Sequence, residues 1–141
     1  MEGLFMRKFK ILILSLLSIF ILYGCKDTND NLLRGFYQSE ITTDGHIVQV
    51  SVQPQENSFV EYIDNREVNS GTYEKLSTDK YKLVGDKRTI EIVLDKNNSF
   101  EILIKKINKG NSIKMKNIGA TPGYFATEFD DVEEYKKLLE D

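Results

Sequence analysis

The sequence predicts an all-β domain: a small antiparallel meander that closes into an eight-stranded barrel, followed by a C-terminal helix. Three observations predict it. Short segments alternate apolar and polar residues with a period of two. Clusters of Gly, Asn, Asp and Pro separate them at close spacing, and no stretch between them is helical enough to serve as a crossover. The last dozen or so residues change to a helical period.

The segment ahead of the domain reads differently. Arg7, Lys8 and Lys10 precede an apolar run, Ile11 to Leu22, interrupted only by Ser15 and Ser18. A lasting membrane span needs about 20 apolar residues, so the run is too short for one and fits the h-region of a signal peptide. Glu2 is unusual ahead of such a basic region, which leaves Met1 or Met6 as the start. The junction Leu22-Tyr23-Gly24-Cys25 resembles the lipobox of bacterial lipoproteins: an aliphatic residue, a variable one, a small one, then the modified cysteine. Tyr23 is bulkier than the residue usual at its position. The alternative is an uncleaved anchor with an incidental cysteine. The resemblance implies that residues 1–24 are removed and that Cys25, the single cysteine, takes a diacylglyceryl group. Two acyl chains anchor stably where one does so marginally. Residues 26–32 then form a polar tether of at most about 25 Å.

The domain, residues 33–141, reads strand by strand. Gly35 to Thr42 carries Phe36 and Tyr37, and Thr43-Asp44-Gly45 turns it. His46 to Gln53 alternates Val48, Val50 and Val52 against Gln49 and Ser51, and Pro54 ends it because proline cannot donate to a ladder. Ser58 to Asp64 follows, with Val60 and Tyr62 on one face and Phe59 and Ile63 on the other. Asp64-Asn65-Arg66 is a hairpin turn. Glu67 to Leu76 carries Val68 and Tyr73, with a bulge expected at Ser70-Gly71. Tyr81 to Val84 and Arg88 to Asp95 flank a turn at Gly85-Asp86-Lys87. Ser99 to Lys106 aligns Phe100, Ile102 and Ile104. Ile113 and Met115 alternate with Lys114 and Lys116. Phe125, Thr127 and Phe129 suggest a further strand after Pro122-Gly123. Closure into a barrel removes exposed edges, which favours it over a sandwich. Val132, Tyr135, Leu138 and Leu139 give a helix over 130–140, with Asp130 and Glu133 as a capping box.

Gly35-Phe36-Tyr37 and Gly71-Thr72-Tyr73 are two Gly-x-aromatic motifs, each leading into or along a strand. On these, residues 33–129 resemble the calycins, lipocalins and their relatives, which open the barrel with Gly, one residue, then Trp. Here Tyr37 stands where that Trp would be, and the domain is shorter than a usual lipocalin. The chain is similar to small calycin-like lipoproteins of streptococci and their relatives. The resemblance implies a binding module for a small apolar or amphipathic ligand. Tyr37, Tyr62, Tyr73, Tyr81 and Phe100 are the candidate lining. The same aromatic residues serve equally as the filling of a small β core, and an eight-stranded barrel is just wide enough to be filled by its own side chains.

Charge and composition narrow the function. Arg7, Lys8, Lys10 and Glu2 leave with the leader, so 19 basic and 22 acidic residues become 16 and 21. This acidic balance argues against a nucleic-acid partner, which calls for a basic face. Much Lys, Asn and Ile with no Trp points to an AT-rich genome, which favours a low-GC Gram-positive source. His46 is the single histidine and has no ligand cluster around it in the sequence, so neither a metal, a cofactor nor an enzyme is expected. Lys105, Lys106, Lys109, Lys114 and Lys116 form a basic stretch opposite an acidic tail. Two readings remain for a chain on the outer face of the cytoplasmic membrane: the ligand-binding module, or a filled barrel that contacts another envelope protein or a host protein.

Overall fold

A computed structural model describes residues 32–141. The leader, Cys25 and the tether through residue 31 lie outside the described residues. Eight strands form one antiparallel sheet: β1 Gly35–Gln38, β2 Val48–Gln53, β3 Ser58–Ile63, β4 Arg66–Lys75, β5 Lys80–Gly85, β6 Thr89–Val93, β7 Ser99–Ile102 and β8 Ile113–Gly119. Their order in the sheet is β6-β5-β4-β3-β2-β1-β8-β7. Pairing of β1 with β8 wraps the meander into a nearly closed barrel. The two edge strands, β6 and β7, are consecutive in the chain and meet at a seam with no ladder between them. The all-β barrel expected from the alternation is what forms.

The alternation of β2 sets the inside. Val48, Val50 and Val52 are wholly buried and pair with Ile63, Glu61 and Phe59 of β3. The inward face of β3 is therefore Phe59, Glu61 and Ile63, which leaves Val60 and Tyr62 outward. The hairpin between β3 and β4 turns on Asp64 and Asn65, both in the left-handed region, as a two-residue turn matched to strand twist requires. The irregularity in β4 lies at Val68, not at Ser70-Gly71. Glu61 pairs with Asn69 and Tyr62 with Glu67, so Val68 is the extra residue, and both Val68 and Asn69 are buried.

The two motif glycines have a steric reason. A Cβ on Gly35 would stand 2.0 Å from the carbonyl oxygen of Gly119 on β8, and one on Gly71 would stand 2.0 Å from that of Val84 on β5. Each motif marks a place where two strands approach too closely for any side chain, and two residues later a tyrosine turns toward the barrel.

Both mouths are closed by the chain itself. At the mouth where β1 begins, Leu33 is buried and its N–H donates to the Tyr81 hydroxyl at 3.4 Å. At the other mouth, Ile104 and Ile107, after β7, are buried, and helix α1, Val132–Lys136, packs against β4 and runs on into a 3-10 turn, Lys137–Leu139. Tyr135, Leu138 and Leu139 pack on the core as expected from their spacing. The capping box does not form: Asp131 is the N-cap and makes no side-chain cap bond, because its carboxylate is engaged by Arg66.

The strand expected at Phe125–Phe129 is absent. Residues 120–131 are an arm with no ladder bonds, laid across the outside of β1 to β4. Both neighbours of β1 are taken by β2 and β8, so no free edge lies beside the arm to pair with. Aromatic contacts hold it instead: Phe125 lies edge-on to Phe36 at 6.0 Å and to Tyr62 at 4.9 Å.

Candidate functional site

The inward tyrosine of the first motif sits in the centre of the barrel. Tyr37 is 0% exposed and Phe59 and Phe100 are each 1% exposed. The Tyr37 and Phe100 rings are 4.7 Å apart. A side chain with no exposed surface touches no space that a water molecule can enter, so Tyr37 and Phe100 fill the barrel and do not line an open cavity. The Tyr37 hydroxyl donates to Asn98 Oδ1 at 2.9 Å and accepts from the Arg34 N–H at 3.2 Å, which satisfies a polar group that burial would otherwise penalise. Burial raises its pKa above the ordinary tyrosine value.

Tyr73 and Tyr81 are placed differently. They meet edge to face at 6.1 Å and share the wall of a groove of about 550 Å³ at the N-terminal mouth, with Leu32, Leu33 and Pro54. Arg34 and Lys75 stand at its rim, and the Lys75 ammonium lies 5.8 Å from the Tyr81 ring. The Tyr73 hydroxyl makes no hydrogen bond among the described residues.

Tyr62 is on the outside of the barrel, beneath the arm. Burial there pushes its hydroxyl up to about 12, with Glu67 adding to the rise. It lines a second groove, of about 500 Å³, between β4 and the arm, with Arg66, Asn69, Phe125 and Phe129. The five aromatic residues expected to share one site are thus split three ways: Tyr37 and Phe100 in the core, Tyr73 and Tyr81 at the mouth, Tyr62 under the arm.

Sequence reasoning missed two polar constellations. Inside the barrel, Glu61 is fully buried, and Nε and Nη2 of Arg88 donate to its two carboxylate oxygens at 3.1 and 2.9 Å. Arg88 Nη1 donates to the Leu103 carbonyl, beyond the end of β7, at 2.6 Å. Burial nevertheless raises Glu61, with the Arg88 charge opposing that rise. Asn69 beside them accepts from the Lys87 N–H and donates to the Arg88 carbonyl, shaping the turn that presents the arginine. An inward acid at the fourth position of β3 was the available signal.

The second constellation lies where the helix meets the barrel. His46 Nδ1 is 2.6 Å from Asp64 Oδ2, and the His46 ring is edge-on to Tyr135 at 6.0 Å. Arg66 makes a forked pair with Asp131, both contacts at 3.0 Å, and its guanidinium lies 3.9 Å from the Phe129 ring and 4.6 Å from that of Tyr135. Among the described residues no serine, threonine or cysteine side chain bonds to the His46 ring, and no group of three or more His, Cys, Asp or Glu side chains is placed to hold a metal ion. The cluster binds the arm and helix to the barrel. The basic stretch is likewise partly tied to the tail, with Lys105 Nζ 2.9 Å from Asp141 and Lys106 donating to the Lys137 carbonyl.

Comparison with known protein families, with characterised proteins and with solved structures gives no match.

Proposed function

We propose that this chain is a lipid-anchored envelope lipoprotein whose barrel is a solid scaffold for contact with another envelope protein or a host protein. In this reading residues 1–24 direct export, and a diacylglyceryl group on Cys25 holds the domain on the outer face of the cytoplasmic membrane of a Gram-positive cell. No reaction is assigned to it. One observation carries the choice of a scaffold over a container: Tyr37, Phe59 and Phe100 occupy the barrel centre with 0 to 1% of their surface exposed. Crosslinking in intact cells is expected to trap a protein partner, and truncation from Asp130 to remove it. Cells that yield no crosslinked partner with a folded, surface-exposed domain speak against the reading. The anchor is tested apart from it: Cys25→Ala abolishes acyl labelling and leaves the precursor unprocessed.

A second reading is favoured by the groove at Tyr73 and Tyr81. A small amphipathic molecule seated there would make this a calycin-like binding module that uses the barrel mouth in place of its interior. Native mass spectrometry of protein released from membranes is expected to show such a ligand, and Tyr73→Ala to lose it. A ligand-free mass in all preparations removes this reading and leaves the first standing.

A further inference from the structure

We infer that the N-terminal mouth of the barrel is a docking face for the surface of a lipid bilayer. The inference rests on the anchored reading of Cys25 given above, and it adds which face of the domain meets the membrane.

The length of chain before the domain is the first observation. Six residues separate Cys25 from Leu32, the first described residue, so a fully extended chain places Leu32 within about 25 Å of an acylated Cys25. Leu32 lies at the N-terminal mouth, beside Pro54, Tyr73 and Tyr81. The loops that rim this mouth, after β2, β4 and β6, belong to the end of the barrel from which the tether departs. The opposite mouth lies at the far end of the strands from that point of departure.

The composition of the rim is the second. Leu32 is 45% exposed and Leu76, in the loop after β4, is 48% exposed. Between strands and loops lies the groove, and its wall is mostly apolar, whereas the groove beneath the arm is mostly polar. The half-buried Tyr73 ring carries a hydroxyl with no partner in the domain, and among the described residues Arg34 and Lys75 pair with no carboxylate. Leucine, tyrosine with a free hydroxyl, and long cationic side chains on apolar stems are what the boundary between acyl chains and headgroups accommodates. Glu74 lines the same groove, so the rim is not uniformly cationic. Docking is therefore expected to depend on apolar burial more than on lipid charge.

The experiment uses the acylated full-length product in vesicles of phosphatidylcholine, with single cysteines introduced at Leu76 and, at the opposite mouth, at Ile41, which is 70% exposed. Each is labelled with an environment-sensitive thiol probe. Acylation blocks the Cys25 thiol, so labelling of the unsubstituted chain reports failure of the anchor separately from failure of docking. The expected result is a probe at position 76 shielded from an aqueous quencher and a probe at position 41 open to it. Added Leu32→Asp is expected to raise quenching at position 76 about tenfold, by removing one of the exposed apolar side chains that this mouth offers to the bilayer. Replacing part of the lipid by phosphatidylglycerol is expected to change little. Equal quenching at positions 76 and 41, with Cys25 unlabelled, overturns the inference. So does shielding at position 76 that vanishes when protein is diluted with lipid, because the occupant is then a second copy of the chain. Shielding that Leu32→Asp leaves intact overturns it as well.

Discussion

Arg88, in the turn just before β6, and Glu61 on β3 form a forked ion pair within the barrel, and the third arm of the same guanidinium holds the Leu103 carbonyl across the seam. One side chain thus neutralises the buried acid and ties together the two strands that lack a ladder.

Breaking this pair from one side is expected to be costly. Arg88→Met leaves a buried carboxylate alone and is expected to destabilise the fold by about 3–5 kcal/mol, whereas Arg88→Met with Glu61→Leu recovers most of the loss. Urea unfolding of the three proteins measures it. The sign of the pH effect follows from the direction of the Glu61 shift. A carboxyl raised in the fold above its ordinary value of 4.5 binds its proton more tightly when folded. The penalty on Arg88→Met is thus absent below that value and grows as pH rises through the folded one. A single variant whose stability is flat from pH 4 to 8 contradicts the assignment.

The filled centre predicts the effect of emptying it. Phe100→Ala is expected to cost about 3–5 kcal/mol, through lost transfer energy and the cavity left against Tyr37. The variant is then expected to take up benzene or xenon, and the unsubstituted barrel to take up neither. Tyr37→Phe keeps the packing and removes the bonds to Asn98 and Arg34, for about 1 kcal/mol.

Gly71 and Gly45 separate crowding from backbone strain. Gly71→Ala drives a methyl group into the Val84 carbonyl and is expected to cost about 2 kcal/mol or more, as over-packing into a rigid backbone does. Gly45 has φ +85 with nothing within 4 Å of the added atom, so Gly45→Ala meets only the left-handed penalty of about 1–2 kcal/mol. Equal losses at the two positions in thermal unfolding contradict this account.

The helix clamp is expected to open in acid. Hydrogen bonding to Arg66, with its charge, lowers Asp131 below its ordinary value of 3.8. The clamp's contribution is complete above that value and disappears as pH falls through the lower folded one. Hydrogen exchange over α1 is expected to accelerate in that window ahead of exchange in β2. Asp131→Asn is expected to show the fast helix exchange already at neutral pH.

The parts of the fold legible in the sequence are those where one face is buried and the other wet. Val48, Val50 and Val52 alternate with polar residues, and β2 is the strand that sets the inside. The two faces of β3 divide as the alternation gives them, but which one is inward is not legible, so Tyr62 was expected in the barrel lining and lies outside it. Phe59 and Ile63 face the core while Val60 and Tyr62 face outward, Tyr62 beneath the arm, so apolar residues occupy both faces and the period-two signal is blurred. The same ambiguity hid Glu61, which shares the inward face with Phe59 and Ile63. The arm misled in the same way: Phe125, Thr127 and Phe129 alternate like a strand, but alternation reports which side is covered and not whether an edge is free to pair. The divided aromatic set has a different origin. Type and spacing place Tyr37, Tyr73, Tyr81 and Phe100 inward, but the depth of each along the barrel depends on register across strands distant in sequence, such as the 61-residue separation between Tyr37 and its partner Asn98. His46 gave no signal because its partner, Asp64, is brought beside it only by the β2–β3 pairing.

Leu33, which stops the N-terminal mouth, is also among the first residues that tension on the chain from its N-terminal side reaches. Behind it β1 is gripped on both edges, by β2 and by β8, so a pull along its axis loads two ladders together in shear. Leu33 has only its apolar seat and one long bond to the Tyr81 hydroxyl. Under load the stopper is expected to yield before the strand does, so a pull from the N-terminal side would uncork the barrel ahead of unfolding it.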